Sequence, residues 1–510
     1  MIKDVDITLF PEVAEVEKRL KREVARKLNV NSSEVNSVRF LRKSIDARRK
    51  EIKINGRVRA FIGEEERPIW ENTTFKHCTL DKSVVVVGSG PAGLFAALTL
   101  LEVGIRPIVL ERGSEVHQRK KDVATLCRDG ILNEESNYSF GEGGAGAFSD
   151  GKLYTRSDKR GDTRKVLSLF CQHGASPDIL SDAHPHIGTE KLPAVIENIR
   201  HTIIEYGGEV HFNTKVTSLI KKEDRVVGVK TEDGREFIGS VILATGHSAR
   251  DVYAFLHKEG FSLEAKDVAI GVRLEHPQEL IDNMQYHTTK GRGLYLPPAS
   301  YRFVTQVRER GVYSFCMCPG GFVVPASTEN GALAVNGMSP STRGSRWANS
   351  AMVVQLKVED IPYRDLFGME RYIEEIERKC FFPRFKAPAQ RMCDFLRGKV
   401  SSTLPKTSYI PGLESVSLDS YLPPFISERL KEGFTAFGQM TRGAFISEEA
   451  LMIAPETRTS SPLRILRSSD FSQCPGLYPA GEGAGYAGGI VSAALDGIAS
   501  AKALISKESL

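Results

Sequence analysis

An α/β fold built round a buried parallel sheet is predicted for this 510-residue chain, and three observations predict it. Val84–Val87 is a continuous apolar run, as a strand buried on both faces requires. Gly88, Gly90 and Gly93 follow at once, and Leu94–Val103 is compatible with a helix. Pro107–Leu110 then reads as a second buried strand ending in Glu111-Arg112. Together these make a complete βαβ unit of the Rossmann type.

Each glycine of that unit has a physical task. Gly88 lets the chain turn sharply out of the strand, Gly90 removes a side chain so that backbone can approach a pyrophosphate, and Gly93 lets helix and strand pack closely. The helix opening at Pro91-Ala92 presents free N–H groups and a partial positive charge to phosphate. Glu111 lies 23 residues after Gly88, where an acid can accept hydrogen bonds from both ribose hydroxyls of an adenosine. An acid there disfavours a 2′-phosphate. Arg112, beside it, is assigned to the same dinucleotide surface.

The rest of the chain divides round this unit. Residues 1–80 read as a separate small α/β module. It has a strand at Val5–Phe10, a helix from Pro11 carrying Val13, Val16, Leu20, Val24 and Leu28 at helical spacing, and strands at Val35–Phe40 and Ile45–Ile54. Asn55-Gly56 reads as a tight turn into Arg57–Ile62. Further on, the pattern gives a strand at Glu209–Thr217, a hairpin over Arg225–Ile238, a strand at Val241–Ala244, a helix near Met369–Lys379 and a small-residue helix over Gly489–Ser506. The expected domains are 1–80, a discontinuous dinucleotide-binding domain at 81–262 and 408–510, and an inserted α+β substrate or cap domain at 263–407.

Composition narrows the function classes. Hydrophobic residues make up 41% and charged residues 26%, an ordinary globular balance that excludes collagen-like and wholly disordered chains. No apolar run approaches the roughly 20 residues that span a bilayer, and the acidic start Asp4-Val5-Asp6 argues against a secretory leader. A cytoplasmic protein with reduced thiols is therefore expected. The net charge of +5 resides in residues 1–80, which carry 18 Lys+Arg against 13 Asp+Glu. The eight cysteines include no CxxC pair and every histidine lies at or before His287, so no metal site is expected.

Later segments identify the dinucleotide. Val241–Gly246 ends a strand in Ala244-Thr245-Gly246, and Leu477–Gly483 places Glu482 after the tight Ala480-Gly481 turn, with Gly489-Ile490 opening a helix behind it. With Val84–Arg112, these segments resemble the two-dinucleotide-binding-domain flavoproteins. Ser136–Leu153, Phe315–Gly321 and Ala454–Pro462 further resemble one group of that superfamily, the poorly characterised FAD-dependent dehydrogenases of bacteria and plastids. The resemblance covers nearly the whole chain. It implies a glutathione-reductase-like FAD-binding domain, bound FAD and an oxidoreductase activity, with no known substrate. It also implies that Glu482, one methylene longer than the Asp usual there, meets the ribityl chain and pyrophosphate edge. Gly143, Gly144 and Ala145 belong to a loop, Gly141–Gly146, that follows no apolar strand. It reads as a cradle for the pyrophosphate or flavin rather than a second dinucleotide unit. Val216, Ala244, Thr245, Gly246, Gly481, Gly489 and Ile490 complete the expected cofactor surface. No second strand-glycine-helix unit is present, so NAD(P)H is expected at most as a transient visitor.

Candidate catalytic residues are few. Cys316 and Cys318, two apart on a strand-like run, share a face. One reading is a redox pair passing electrons to flavin, since so close a disulfide is strained and labile; the favoured reading is two small buried thiols lining a pocket. His247 stands at a strand's C-terminal end, where it could handle a proton. Glu456 and Arg458 lie in a loop, where Arg458 could bind a substrate carboxylate or phosphate, with a structural ion pair as the alternative. The leading expectation is hydride transfer between FAD and a small substrate in the interdomain cleft. Two alternatives are a flavin-dependent enzyme acting on nucleic acid docked on residues 1–80, and a non-catalytic flavoprotein sensor or scaffold. The sequence does not fix the oligomeric state.

Overall fold

Three sheets position the site in the computed structural model, which describes residues 1–79, 82–155 and 161–508. The expected domain junction between residues 80 and 81 lies outside the described residues.

The N-terminal module consists of β1 (Ile2–Leu9), α1 (Glu17–Leu28), β2 (Val35–Asp46) and β3 (Lys53–Ile62), with antiparallel strand order β1-β3-β2. Leu20, Val24 and Ala25 of α1 close a core of their own over Ile7, Val58 and Ala60. Three expectations change here. The strand expected over Ile45–Ile54 is instead the end of β2, a connection and the start of β3. The helix expected from Pro11 breaks at Val16, whose backbone is extended (φ −104°, ψ 104°), leaving a single turn at Pro11–Ala14 before α1. Asn55-Gly56 is not a turn: both residues lie inside β3, opposite Thr8 and Ile7. Asn55 accepts a 2.8 Å hydrogen bond from the Thr8 hydroxyl. Gly56 faces a bulge in β2, where a Cβ would come within 2.6 Å of the Phe40 ring. The module docks by backbone pairing: Lys43 N–H donates to Ser181 O at 2.8 Å, and Ala183 N–H to Lys43 O at 3.0 Å.

The βαβ unit forms as expected, with β4 (Ser83–Val87), α2 (Pro91–Glu102) and β5 (Arg106–Leu110). Helix α3 (Val116–Asp129) follows, then β6 (Glu209–His211) and β7 (Ser240–Leu243). The single strand expected over Glu209–Thr217 splits. Its first part joins the parallel sheet, and Val216–Lys222 joins an antiparallel meander with Arg225–Thr231 and Glu236–Ile238. The break is anchored by Thr214, whose N–H donates to Glu111 O at 2.8 Å.

The inserted sheet has seven strands and is larger than the sequence implied. Its middle is β8 (Val268–Pro277), β9 (Arg310–Cys318) and β10 (Trp347–Leu356), with β8 also paired to β11 (Leu451–Glu456). Helix Pro424–Met440 buries Leu430, Phe434 and Phe437 in the same core. Residues 413–456, assigned from sequence to the dinucleotide-binding domain, therefore build the cap. The boundary moves from 408 to beyond 456, because β11 completes its hydrogen bonding only against β8 and Ala387–Arg391.

The chain then returns with β12 (Leu477–Pro479) and α4 (Ile490–Lys507). The parallel sheet has the order β12-β7-β4-β5-β6, so β4 is flanked by strands reached through crossovers in opposite directions. Such a switch point opens a crevice at the strands' C-terminal ends. Among the described residues no helix is long and apolar enough to cross a membrane.

Helices α2 and α4 pack backbone to backbone over this sheet. A Cβ at Gly497 would stand 2.0 Å from Ala92 O. Helix propensity favours Ala over Gly by about 1 kcal/mol, whereas overpacking costs about 1–3 kcal/mol, and a backbone oxygen cannot rotate aside. Gly497→Ala should lower stability by about 1–2 kcal/mol. Thermal unfolding checks this, and a raised midpoint would refute the close approach.

Candidate active site

The crevice is lined on one wall by the β4–α2 turn. Gly88 has φ +101°, and a Cβ there would lie 2.4 Å from Ala244 O, at the end of β7. A Cβ at Gly93 would lie 1.9 Å from Gly88 O, so Gly93 performs the packing task expected of it from behind the crevice. Gly90 caps α2 without a side chain, Pro91 occupies the first turn, and no acid lies there. The Ala92 and Gly93 N–H groups are therefore left to whatever occupies the crevice.

Glu111 is the hub of this wall. Its side chain is 5% exposed. One oxygen accepts from Ser89 N–H (2.9 Å) and the Ser89 hydroxyl (2.8 Å), the other from Gly113 N–H (2.9 Å) and Gly141 N–H (3.0 Å). All four acceptor positions of the carboxylate are thus taken. Glu111 borders the crevice as expected, but its carboxylate ties three loops together rather than standing free for a ribose. Arg112 also borders it, yet pairs with Glu135 (2.6 Å) and Asp251 (2.9 Å) and lies 4.1 Å over the Phe140 ring. Thr214, Lys215 and Val216 complete this end; of these only Val216 was expected. The others sit in the irregular break after β6, which carries no periodic signal.

Behind Glu111, the fully buried Arg119 of α3 donates to the carbonyls of Asn137 (2.8 Å), Gly141 (3.1 Å), Glu142 (2.7 Å) and Tyr138 (3.0 Å). Burial lowers its pKa to about 10, against the raising effect of Glu111 and Glu142. This guanidinium shapes the Gly141–Gly146 loop. Gly143 N–H reaches Ser89 O at 3.0 Å, and a Cβ at Gly144 would lie 3.0 Å from Gly90 Cα. Gly144 and Ala145 line the crevice, while Gly143 stands behind it.

The opposite end is built by β7, β12 and α4. Ala244, Thr245, Gly246, Glu482, Gly489 and Ile490 all line it. Gly481 does not. Its N–H is held at 2.7 Å by Asp496, itself paired with Arg467 (2.6 Å), so it fixes the turn that presents Glu482. Gly489 caps α4 with extended backbone (φ 172°), no side-chain cap and no acid in the first turn. Gly146 stands between the two helix starts, its Cβ position 3.1 Å from Ile490 and 3.7 Å from Pro91. His247 Nδ1 lies 3.5 Å from Glu482, and its Nε2 is buried without a hydrogen-bond partner.

The cap closes the crevice with Phe315, Cys316 and Asn336. Cys316 and Cys318 do not lie on a regular strand as expected. One extra residue is inserted between the Phe315–Ala351 and Cys318–Asn349 pairs, and Cys316 has φ +46°. Lys152 Nζ nevertheless approaches both sulfurs, at 3.8 Å from Cys316 and 3.7 Å from Cys318. Glu456 does not reach the crevice. Its carboxylate is paired at 2.7 Å with the buried Arg273, and burial pushes its pKa up to about 7. Arg458 borders the crevice, but it pairs with the buried Glu377 at 2.8 Å, a carboxylate that Arg250 and Thr457 also hold. The structural ion pair thus replaces the substrate-anion role. Among the described residues no three His, Cys, Asp or Glu side chains are grouped to hold a metal.

Glu111→Gln sets an amide NH₂ against the Ser89 N–H, or, turned over, against the Gly113 and Gly141 N–H groups. A loss of about 2–3 kcal/mol is expected, since hydrogen bonds to a charged acceptor contribute about 1.5–3 kcal/mol and unpaired buried donors cost more. An unchanged thermal midpoint would remove Glu111 from its central place.

Comparison with known proteins identifies the family. Residues 81–236 match the family "FAD binding domain", 184–335 match "FAD dependent oxidoreductase", and 267–459 match "FAD-dependent protein, C-terminal domain-like". Residues 1–61 match a domain of unknown function, DUF8436. An uncharacterized protein of Clostridium beijerinckii (strain ATCC 51743 / NCIMB 8052) is 41% identical over 532 residues, covering 99% of this chain and 98% of that one. Among solved structures, a geranylgeranyl bacteriochlorophyll reductase-like protein from Thermoplasma acidophilum is similar at 12% identity, covering 84% of this chain and 79% of that one, with TM-score 0.37. A flavin-dependent brominase is similar at 12% identity, covering 83% and 77%, with TM-score 0.37. With the family matches spanning both domains and a relative aligned over nearly its whole length, the chain belongs to a poorly characterised family of FAD-dependent oxidoreductases.

Proposed function

We propose that the crevice holds FAD and that the protein transfers a hydride between the flavin and a small substrate enclosed where the seven-stranded sheet covers the cleft. One observation carries the reading. Two helix starts, α2 and α4, meet in one crevice with neither side-chain cap nor acid, an arrangement whose unpaired N–H groups suit a pyrophosphate. The crevice runs from the 214–216 segment past both helix starts to Glu482 and the Phe315 wall, at the switch point where an α/β sheet takes a dinucleotide.

FAD, when bound, supplies the two-electron chemistry; the chain supplies the rest. Ala92 and Gly93 N–H, with the start of α4, hold the pyrophosphate. The 214–216 segment borders the adenosine end. Phe315 and Asn336 exclude water from the cap side. His247 Nε2, buried and unpartnered, is the atom placed to hold or release a proton, with Glu482 steadying Nδ1. NAD(P)H enters, if at all, as a soluble visitor, since the parallel sheet presents one strand-glycine-helix cradle with an acid at its second strand.

Gly489→Asp separates fold from cofactor. No atom lies within 4 Å of the added Cβ, and Asp differs from Gly at a helix cap by only about a few tenths of a kcal/mol, so with the flavin removed from both, the variant should be as thermally stable as the parent. Its carboxylate also occupies the anion end, so the purified variant should lack the flavin absorbance the parent shows. A yellow variant would count against this location for the pyrophosphate. For the reaction class, the holoprotein is mixed anaerobically with NADH and, separately, NADPH. Bleaching within seconds points to a nucleotide-driven reductase, and no bleaching points to a dehydrogenase reduced by its own substrate or to a non-catalytic flavoprotein. A colourless protein that cannot be reconstituted with FAD refutes the proposal.

A further inference from the structure

Cys316, Cys318 and Lys152 form a cluster on the cap wall that hydride transfer does not use. Cys316 lines the crevice, whereas Cys318 is fully buried behind it. Lys152 Nζ lies between the two sulfurs, at 3.8 and 3.7 Å. The Cys318 thiol points back along the strand, 3.3 Å from Cys316 O. The bulge brings this about, because the left-handed backbone at Cys316 (φ +46°) turns the strand where a straight one would hold the residues apart. A non-glycine residue held there is strained, and such strain gathers at functional positions.

We infer that Cys316 and Cys318 are a dithiol–disulfide couple, a second two-electron centre that exchanges its electrons with the flavin across the crevice. The inference rests on the FAD reading above. Cys316 is the outer sulfur that meets the crevice, and Cys318 is the inner sulfur that closes the bond. Cys316 as thiolate and Cys318 as thiol form one S–S bond, releasing one proton and one electron pair. Oxidised FAD takes up both, so atoms and charge balance. The reverse delivers the pair from reduced flavin to the disulfide, leaving Cys316 as thiolate beside Lys152.

The surroundings fit the outer sulfur's role. The neighbouring Cys318 thiol lowers the Cys316 pKa well below the usual thiol value, helped by Lys152 and Arg273 and opposed by burial and Asp150. Cys318 is raised well above it. Asp150 pairs with Arg343 at 2.9 Å and stands 3.6 Å from Lys152, fixing the ammonium. Arg273 donates to Cys316 O at 2.9 Å while paired with Glu456. Low-pKa thiols near a cation are the reactive ones.

The test uses the full-length protein in two arms. In the first, the protein is equilibrated in oxidised or reduced glutathione, alkylated and digested with trypsin. Residues 311–343 form one peptide whose only cysteines are these two. The expected result is a peptide that lacks two hydrogens and takes no alkyl group after oxidation, and takes two alkyl groups after reduction. In the second arm, anaerobic dithionite titration of the yellow holoprotein should consume about four electrons per flavin, against about two for Cys318→Ser. Lys152→Met should slow alkylation of Cys316 about tenfold at neutral pH by raising its pKa, which keeps the proposal testable where Cys318→Ser fails to fold. Double alkylation under both conditions, or a two-electron titration of the parent, overturns the couple while leaving the flavoprotein reading intact. A colourless protein in which the disulfide forms would sink the FAD reading and, with it, the proposed exchange with flavin.

Discussion

The carboxylate of Glu111 is the constraint on which the rest of the site depends. It takes N–H groups from the β4–α2 turn, from Gly113 just beyond β5 and from the Gly141–Gly146 loop. A buried carboxylate is tolerated only when its lone pairs are filled and a counter-charge lies near. Arg119 supplies that charge while satisfying its own donors with the carbonyls of Asn137, Tyr138, Gly141 and Glu142. The pair thus fixes three glycine-rich segments that have no regular hydrogen bonding of their own. The unpaired N–H groups stay aimed at the crevice because the loops carrying them cannot relax to pair with one another.

Backbone proximity extends the same logic. Gly88 beside Ala244, Gly93 beside Gly88 and Gly497 beside Ala92 each bring main chain against main chain at distances no Cβ permits. The parallel sheet and the two helices on it are thereby fixed relative to one another, with both helix starts at one end. Apolar burial, to which Val84–Val87 and Leu94–Leu101 contribute, is the dominant favourable term in the stability. The polar hub sets geometry more than it adds stability.

The sequence displayed much of this and hid the rest for identifiable reasons. The βαβ unit was legible because strand, glycines, helix and acid are contiguous. The final helix was legible because small residues persist from Gly489 onward. The cap's extent was not, because β11 pairs with β8 across some 180 residues of chain and no local period records that partner. Asn55-Gly56 misled because the pair that favours a tight turn also fits a strand facing a bulge. Glu456 and Arg458 drew notice as polar residues in a loop, but their partners, Arg273 and Glu377, are distant in sequence, so only the fold shows that both charges are spent inward. Lys152 drew no attention because a lysine two residues after Asp150 has no pattern of its own.

The N-terminal module's docking has a mechanical consequence. Lys43 is stitched to Ser181 and Ala183 by backbone hydrogen bonds, and a few residues on, Leu153 N–H holds Pro185 O at 2.8 Å and Ile187 N–H holds Gly151 O at 3.1 Å. Residues 181–187 are therefore a short tie-rod, clamped by the module at one end and by the segment bearing Lys152 at the other. A displacement of the module loads the same few peptide units that set the height of the Lys152 ammonium. The N-terminal domain thus stands in series with the corner of the cleft that carries Lys152.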